Sequence, residues 1–217
     1  MRKYTNIIFD LDGTVTDSKE GIVKCLQYSL EKTENLRMPE EQLLLFIGAP
    51  LSEIYGEVLI DTSDENIQKA VSAYRERFAI KGIYENKLYP GMEVLLKKLY
   101  ETGYSIFLAT IKPKNYAEKI LEHFNILKYF TFVMGTGMNG EMSSKEELIK
   151  HIIERYSIKP GASTIMIGDR DLDYYGAEAN NIKCGAVLYG YGRENEFENL
   201  NVEVSFKTVE DIEKFLV

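Results

Sequence analysis

Cysteine and histidine are both scarce in this sequence, which contains two of each among 217 residues. Cys25 and Cys184 are too few and too far apart in sequence to indicate a disulfide framework or a zinc site. A reducing, cytoplasmic location is therefore expected. His123 and His151 fall on segments with helical spacing and have no matching Ser or Cys elbow, so a hydrolytic triad is not supported.

Long apolar runs and clusters of basic residues are also missing. The N-terminal segment, MRKYTNIIFDLDG, has a short apolar stretch followed at once by acids, which predicts neither a signal peptide nor a membrane span. The net charge is −8, and Lys and Arg form no run. Phosphate backbones and anionic membranes are bound by clustered positive charge, so nucleic acid and membrane are not expected partners.

What the sequence does contain is an alternation of short apolar runs with amphipathic segments. The runs are rich in β-branched and aromatic residues, and they predict buried strands at 6–11, 105–110, 131–134, 164–168 and 184–188. Segments with apolar residues at helical spacing, at 94–99, 116–124 and 148–156, lie between these runs. This alternation predicts an α/β fold, in which a parallel sheet is covered by helices on both faces.

The stretch from Lys19 to Ile80 interrupts this alternation, because it has helical patterns and no convincing strand. We therefore predict an α/β core formed by 1–16 and 84–217, with an all-helical domain inserted at 17–83. Asp17 is predicted to cap the first inserted helix, since Glu20 follows three residues later. Pro90 is predicted to begin the first helix after the insert.

Two carboxylates, Asp10 and Asp12, lie at the carboxyl end of the first predicted strand. Ligands of open parallel sheets bind just beyond these strand ends, and residues two apart on a strand share a face. Gly13 allows a sharp turn, so that backbone N–H groups there and at Thr14 can approach an anion. The pair alone does not distinguish a reactive site from a solvated turn.

Three further segments fall at the same predicted edge of the sheet. Thr110 ends the second predicted strand, Lys145 opens an amphipathic helix, and the acidic segment GDRDLD follows the strand TIMI. Together, DLDGTVTDS, FLAT, SSKEELI and IGDRDLD resemble, in order and spacing, the four motifs of the haloacid dehalogenase superfamily of phosphohydrolases. The resemblance covers the whole chain and implies a Rossmann-like core with the insert as a helical cap. The segment GDRDLDYYGAEANNIKCGAVLYGYG is similar to phosphoglycolate phosphatases and related nucleotide and small-metabolite phosphatases.

The resemblance implies a reaction and roles for the motif residues. Asp10 would be phosphorylated, and Asp12 would act as general acid and base. Thr110, with the N–H of Ile111, would hold the phosphoryl group, and Lys145 would supply positive charge beside Asp10. Mg²⁺ would be held by Asp10, Asp169 and the backbone carbonyl of Asp12, with Asp173 as a ligand or as an orienting residue.

The resemblance also places the substrate, a small phosphate ester. The predicted contacts are Gly13, Thr14, Ile111 and Lys112 in the core, and Gly48 and Ala49 in a cap loop that faces the site in related phosphatases. Lys112, and Arg75 or Arg77 in the cap, are candidates to meet a second anionic group. The loop at Gly48 has an equally ordinary explanation as a helix–helix turn.

Several alternatives remain open at this point. Asp12 and Asp169 argue against haloacid dehalogenation, which needs neither the second carboxylate nor a metal. Phosphonate hydrolysis would require a cap lysine for a Schiff base. A β-phosphoglucomutase-like phosphotransferase would share the nucleophile, metal and cap, and a non-catalytic binding module could use the same fold. The sequence fits a monomer or a homodimer, and it selects neither phosphoglycolate nor a nucleoside monophosphate.

Overall fold

The structure is a computed structural model that describes residues 3–138, 141–159, 161 and 163–217. The strands are β1 (Asn6–Phe9), β2 (Thr16–Asp17), β3 (Lys87–Leu88), β4 (Ser105–Pro113), β5 (Phe132–Thr136), β6 (Thr164–Gly168), β7 (Lys183–Val187) and β8 (Val204–Phe206). The α-helices are α1 (Lys19–Glu34), α2 (Glu40–Leu44), α3 (Leu51–Val58), α4 (Asp64–Arg77), α5 (Met92–Glu101), α6 (Lys114–His123), α7 (Lys145–Arg155), α8 (Asp171–Ala179) and α9 (Val209–Leu216).

Six strands form a sheet in the order β5-β4-β1-β6-β7-β8, and every neighbouring pair is parallel. β1 lies in the middle, with Asn6 opposite Ser105 on one side and Thr164 on the other. Counted along the chain within this sheet, the strand order is 3-2-1-4-5-6, which is the order of the Rossmann fold. The predicted fold class is confirmed.

Both faces of the sheet are buried. Ile8, Phe107 and Met166 belong to one apolar cluster, which also contains Leu148 of α7 and Tyr174 of α8. The strand residues that point to the opposite face, among them Ile7 and Ile106, are also fully buried. On the helical side, α5 contacts β4 and α9 contacts β8. Because successive side chains of a strand point to opposite faces, this burial gives the near-continuous apolar runs seen in the sequence.

The chain divides into two compact units, one formed by 1–17 and 88–217 and the other by 18–87. Within the second, α1 packs against α4, and a π-helical turn (Phe78–Gly82) follows α4. Gly21 of α1 lies so close to this turn that an added Cβ would be 2.2 Å from the carbonyl oxygen of Gly82. We call 18–87 the helical unit.

Two predicted helix starts are wrong. α1 begins at Lys19, after Ser18 in the N-cap position, and no side-chain cap is formed there. Asp17 belongs to β2, and its carboxylate accepts a hydrogen bond from the Tyr191 hydroxyl at 2.8 Å instead of capping the helix. α5 begins at Met92, because Gly91, with φ of 86°, separates Pro90 from the helix.

Strand ends also differ from the predictions. β4 does not stop at Thr110 but continues to Pro113, with a shift in its register against β5 between these residues. β8 and α9 were not predicted, since β8 has only three residues. Both cysteines are buried, and neither forms a disulfide bond within the described part of the chain. Among the described residues, no helix has the length and apolar character needed to cross a bilayer.

Candidate active site

The acidic residues of the candidate site follow two adjacent strands. Asp10 comes directly after β1, and Asp169 comes directly after β6, its neighbour in the sheet. The connections of the sheet change direction at β1, and such switch points open a crevice at the carboxyl ends of the strands. Asp10 is 6% exposed and Asp169 is fully buried, so both carboxylates have been withdrawn from water.

Lys145, which was predicted to open an amphipathic helix, lies beside Asp10. It is the first residue of α7, behind the N-cap Ser144, which forms a capping box with Glu147. The buried Lys145 ammonium lies 2.5 Å from Oδ1 of Asp10 and 2.6 Å from Oδ1 of Asp173. It also donates to the carbonyl of Ala109 at 2.8 Å. The cation is therefore fixed between two carboxylates rather than solvated at a helix start.

The carboxylate of Asp169 is held by donors from two other segments. Oδ1 accepts a hydrogen bond from the Thr14 hydroxyl at 3.2 Å, and Oδ2 accepts one from the backbone N–H of Tyr191 at 2.7 Å. Gly13 has a φ of 88°, and an added Cβ would lie 2.1 Å from Oδ2 of Asp169. Glycine is required here for both the backbone conformation and the space.

The Gly13 turn is bonded mainly within itself. The N–H of Gly13 donates to the carbonyl of Thr16, and the N–H of Thr14 donates to that of Leu11. The Thr14 hydroxyl is directed to Asp169. These two N–H groups were predicted to approach an anion, and their use for that purpose would require the bonds within the turn to open.

Asp10, Asp169 and Asp173 form one cluster, in which a carboxylate oxygen from each lies within 4.8 Å of the others. Burial raises the pKa of Asp10 to about 7, with the Lys145 charge opposing the shift and Asp173 adding to it. Burial, followed by the charges of Asp10 and Asp173, also raises the pKa of Asp169. Burial acts to lower the pKa of Lys145, but the charges of Asp10 and Asp173 outweigh this effect. The pKa of Lys145 is therefore raised.

This cluster fits a hard divalent cation. Carboxylate oxygens are the preferred ligands of such ions, and burying several acids together is costly unless positive charge is supplied. The raised pKa values of Asp10 and Asp169 show that the Lys145 charge alone does not offset their burial. A bound cation would supply the further positive charge that these two carboxylates need.

Asp12 stands apart from this cluster. Its Oδ2 pairs with the Lys112 ammonium at 3.0 Å, and both side chains are nearly buried. Its Oδ1 is buried without a hydrogen-bond partner among the described residues. One carboxylate oxygen is thus oriented by a cation while the other is available to a ligand or a proton.

Thr110 and Ile111 lie at the register shift of β4, beside β1. The Thr110 hydroxyl accepts the N–H of Lys112 at 3.2 Å, and the carbonyl of Ile111 accepts the Thr136 hydroxyl at 2.9 Å. Thr110 is 2% exposed. The bend of β4 therefore fixes Thr110 next to the lysine that pairs with Asp12.

The remaining predicted substrate residues, Gly48 and Ala49, lie in the helical unit, in the loop between α2 and α3. Gly48 has a φ of 99°. In the same unit, Arg77 is engaged by Glu85 through two bonds of 2.7 and 3.0 Å, so it is not a free cation for a substrate.

Sequence reasoning missed a loop that surrounds Asp169. Tyr191 donates its backbone N–H to Asp169 and its hydroxyl to Asp17, and Tyr189 donates its hydroxyl to the carbonyl of Thr14 at 2.9 Å. The Tyr189 ring also packs edge-on against Tyr89, with centroids 4.6 Å apart. The alternation of tyrosine and glycine in YGYG after the fifth predicted strand was the available signal.

The fold and the acidic cluster define a Rossmann-like α/β protein with buried carboxylates at the switch point of its sheet. The family model described as "Haloacid dehalogenase-like hydrolase" matches residues 7–187. The chain belongs to this family, and it is a phosphatase.

The chain is similar to the following three proteins. A 5'-nucleotidase from Pseudomonas aeruginosa is 37% identical, over 89% of this chain and 87% of that protein. The tyrosine-protein kinase PtkA from Mycobacterium tuberculosis is 33% identical, over 91% of this chain and 67% of that protein. The crystal structure of a predicted phosphatase from Clostridium acetobutylicum is 38% identical, covers 97% of both chains and has a TM-score of 0.90.

Proposed function

We propose that this protein is a Mg²⁺-dependent phosphomonoester hydrolase that acts on a small phosphorylated metabolite through an aspartyl-phosphate at Asp10. The observation that carries the proposal is the Asp10 carboxylate, held 2.5 Å from the Lys145 ammonium inside a buried acidic cluster. A carboxylate can attack phosphorus only when the repulsion between the two anions is neutralised.

Mg²⁺ would be held by Asp10, Asp169 and the backbone carbonyl of Asp12, with Asp173 as a ligand or as the partner that orients Lys145. When bound, Mg²⁺ would neutralise the charge between the nucleophile and the phosphoryl oxygens. Lys145 adds fixed positive charge, and the Thr110 hydroxyl and the N–H of Ile111 would hydrogen-bond the phosphoryl oxygens.

The reaction then follows from the two carboxylates after β1. An oxygen of Asp10 bonds to phosphorus as the bond to the leaving oxygen breaks, and Asp12 gives that oxygen a proton. Asp12 next accepts a proton from a water molecule, which attacks phosphorus and releases inorganic phosphate, regenerating Asp10. Oδ1 of Asp12, which has no hydrogen-bond partner among the residues that the structure describes, suits this proton transfer. General acid–base catalysis of this kind contributes roughly 10²–10⁴-fold.

For the substrate, we propose a nucleoside 5'-monophosphate first and phosphoglycolate second. The similarity to the 5'-nucleotidase supports the former, and the resemblance of the motif segment to phosphoglycolate phosphatases supports the latter. The helical insert, predicted at 17–83, would act as a cap that excludes water and contributes specificity contacts at Gly48 and Ala49. Lys112 would meet an anionic or polar group of the substrate near Asp12.

Phosphate release from nucleoside monophosphates, phosphoglycolate, sugar phosphates and p-nitrophenyl phosphate tests the proposal. Each is assayed with Mg²⁺ or with chelator, for the native protein, Asp10→Asn and the exposed control Asp64→Asn. Turnover that requires both Mg²⁺ and Asp10, and that survives in the control, is expected. Conversion of a sugar phosphate to its isomer would instead favour the phosphotransferase. A folded native protein that is inert on every compound would leave the non-catalytic alternative.

A further inference from the structure

The loop after β7 covers the acidic loop after β6. We define the clamp loop as residues 189–197 and the acidic loop as residues 168–171. An added Cβ at Gly190 would lie 2.4 Å from Cβ of Asp169, and one at Gly192 would lie 2.4 Å from the carbonyl oxygen of Asp169. The two glycines therefore let the clamp loop touch Asp169 directly. This contact places the N–H of Tyr191 on Oδ2 of Asp169 at 2.7 Å.

Glu196 joins these two loops. Its Oε1 accepts the backbone N–H of Asp171 at 2.8 Å and Nε of Arg170 at 2.9 Å, and its Oε2 accepts the backbone N–H of Arg193 at 2.6 Å. The Glu196 side chain is only 7% exposed. One buried carboxylate thus bonds both the acidic loop and the clamp loop.

Glu196 also adds an acceptor at the N-terminus of α8, where Oδ2 of Asp173 already accepts the N–H of Arg170 at 3.1 Å. The N-cap residue is Arg170, and its guanidinium is only a donor, so its side chain cannot accept an N–H of the first turn. Glu196 provides an acceptor from 25 residues further along the chain, at the N–H of Asp171. A negative charge is favourable at this end of a helix.

The position of Glu196 is itself fixed by its neighbour. Phe197 is buried in the apolar cluster that includes Tyr174 and Ala177 of α8. The end of the clamp loop is therefore anchored on the same helix that Glu196 caps. A group held this rigidly can set the geometry of the loops that it joins.

We infer that Glu196 is a positioning residue for the carboxylate of Asp169, acting through the acidic loop and through the Tyr191 N–H. Glu196 does not touch the acidic cluster itself. Loss of Glu196 removes the acceptor for the backbone N–H groups of Arg193 and Asp171. Arg193 follows Tyr191 by two residues, and Asp171 follows Asp169 by two residues. The inference deepens the proposed function, since it assigns a residue that supports cation binding at that site.

The test is the Mg²⁺ dissociation constant, which we call the midpoint and obtain by fitting the rise in stability with Mg²⁺ concentration c to RT ln(1 + c/Kd) in thermal unfolding. We compare the full native chain with Glu196→Ala, Glu196→Gln and the control Glu198→Gln, an exposed acid two residues away. Loss of a residue that orients a metal ligand costs about 10–100-fold in metal affinity. We expect the midpoint to rise about tenfold in Glu196→Ala. Glu196→Gln, which keeps an acceptor for Asp171, should rise less, and the control should match the native protein.

A purely structural role would give a different result. Glu196→Ala would then melt at a lower temperature at every Mg²⁺ concentration with an unchanged midpoint, which would overturn the inference. A native protein with no Mg²⁺-induced shift would overturn it as well. Because this readout needs no turnover, a shifted midpoint in a protein that hydrolyses no substrate would support the inference while the proposed function fails.

Discussion

Lys145 shows at the scale of one residue how the fold controls charge. Its ammonium is 6% exposed and lies between Asp10 and Asp173, and the carbonyl of Ala109 accepts its third bond. Lysine is seldom buried unless it is paired. An added Cβ at Gly176 of α8 would lie 2.7 Å from Cβ of Lys145, so the absence of a side chain there leaves room for the lysine. The pairing is thus built by two helices and a strand.

Replacing Lys145 by Met is expected to destabilise the metal-free protein by about 3 kcal/mol. Removing one partner of a buried ion pair costs about 3–5 kcal/mol, because the other charge is left buried without compensation. Urea unfolding in the presence of chelator measures the change. Lys150→Gln, an exposed position on the same helix, is the control and should change the free energy of unfolding by less than about 0.5 kcal/mol. A change equally small in Lys145→Met would contradict the assignment.

At this scale the sequence predicts side chains but not the groups that hold them. Asp10, Asp12, Thr110 and Lys145 are predicted because their residue types stand at the ends of predicted strands or at the start of a predicted helix. Tyr191 acts on Asp169 through its backbone N–H, a group that almost every residue type carries. A pattern of side chains cannot identify such a contact, and only the three-dimensional structure brings it to the carboxylate.

Among the elements, the end of α4 depends on an ion pair with the segment that follows the π-helical turn. Arg77, the last residue of α4, binds both oxygens of Glu85, and its guanidinium also lies 3.1 Å from the Sγ of Cys25. The side chains of Arg77 and Glu85 are 16% and 23% exposed. Hydrogen bonding to Arg77 holds the pKa of Glu85 below its usual 4.5, against the opposing effect of burial.

This pair predicts a dependence on pH. An acid whose pKa is lowered by folding stabilises the protein above its unfolded pKa, and that contribution is lost as pH falls through the folded pKa. Arg77→Met should therefore lower the free energy of unfolding by about 1–2 kcal/mol at neutral pH and by much less near pH 3. Urea unfolding at both pH values measures the difference. Glu76→Gln, which removes the exposed pair with Lys32, should have little effect at either pH. An equal loss from Arg77→Met at both pH values would contradict the prediction.

The order of elements could be predicted because buried parallel strands read as short apolar runs between amphipathic helices. Their boundaries were less predictable for local reasons. β4 passes through a register shift and continues beyond Thr110, which no periodicity marks. Asp17 was predicted to be a helix cap because its position fits one. Its carboxylate instead accepts a hydrogen bond from the hydroxyl of Tyr191, 174 residues away. Long-range bonds override local capping preferences wherever the partner is fixed by the fold.

In the whole molecule, a net charge of −8 is combined with three acids buried together in one cluster. The raised pKa values of Asp10 and Asp169 mean that these groups reduce the stability of the metal-free protein when they are ionised. Reactive sites commonly sacrifice stability in this way. A cation that binds the folded state restores it by mass action.

Neutralising one member of the cluster should therefore separate stability from cation binding. Asp169→Asn is expected to raise the melting temperature in chelator, because a buried like charge is removed while the acceptor for the Tyr191 N–H is retained. The same variant should lose most of the Mg²⁺-induced rise in melting temperature, since one oxygen ligand has become a neutral amide. Differential scanning calorimetry with and without Mg²⁺ measures both changes. Glu146→Gln, an exposed acid beside Lys145, should retain the Mg²⁺ response of the native protein. If Asp169→Asn kept the full response, the acids around Asp10 would not be the site at which the cation binds.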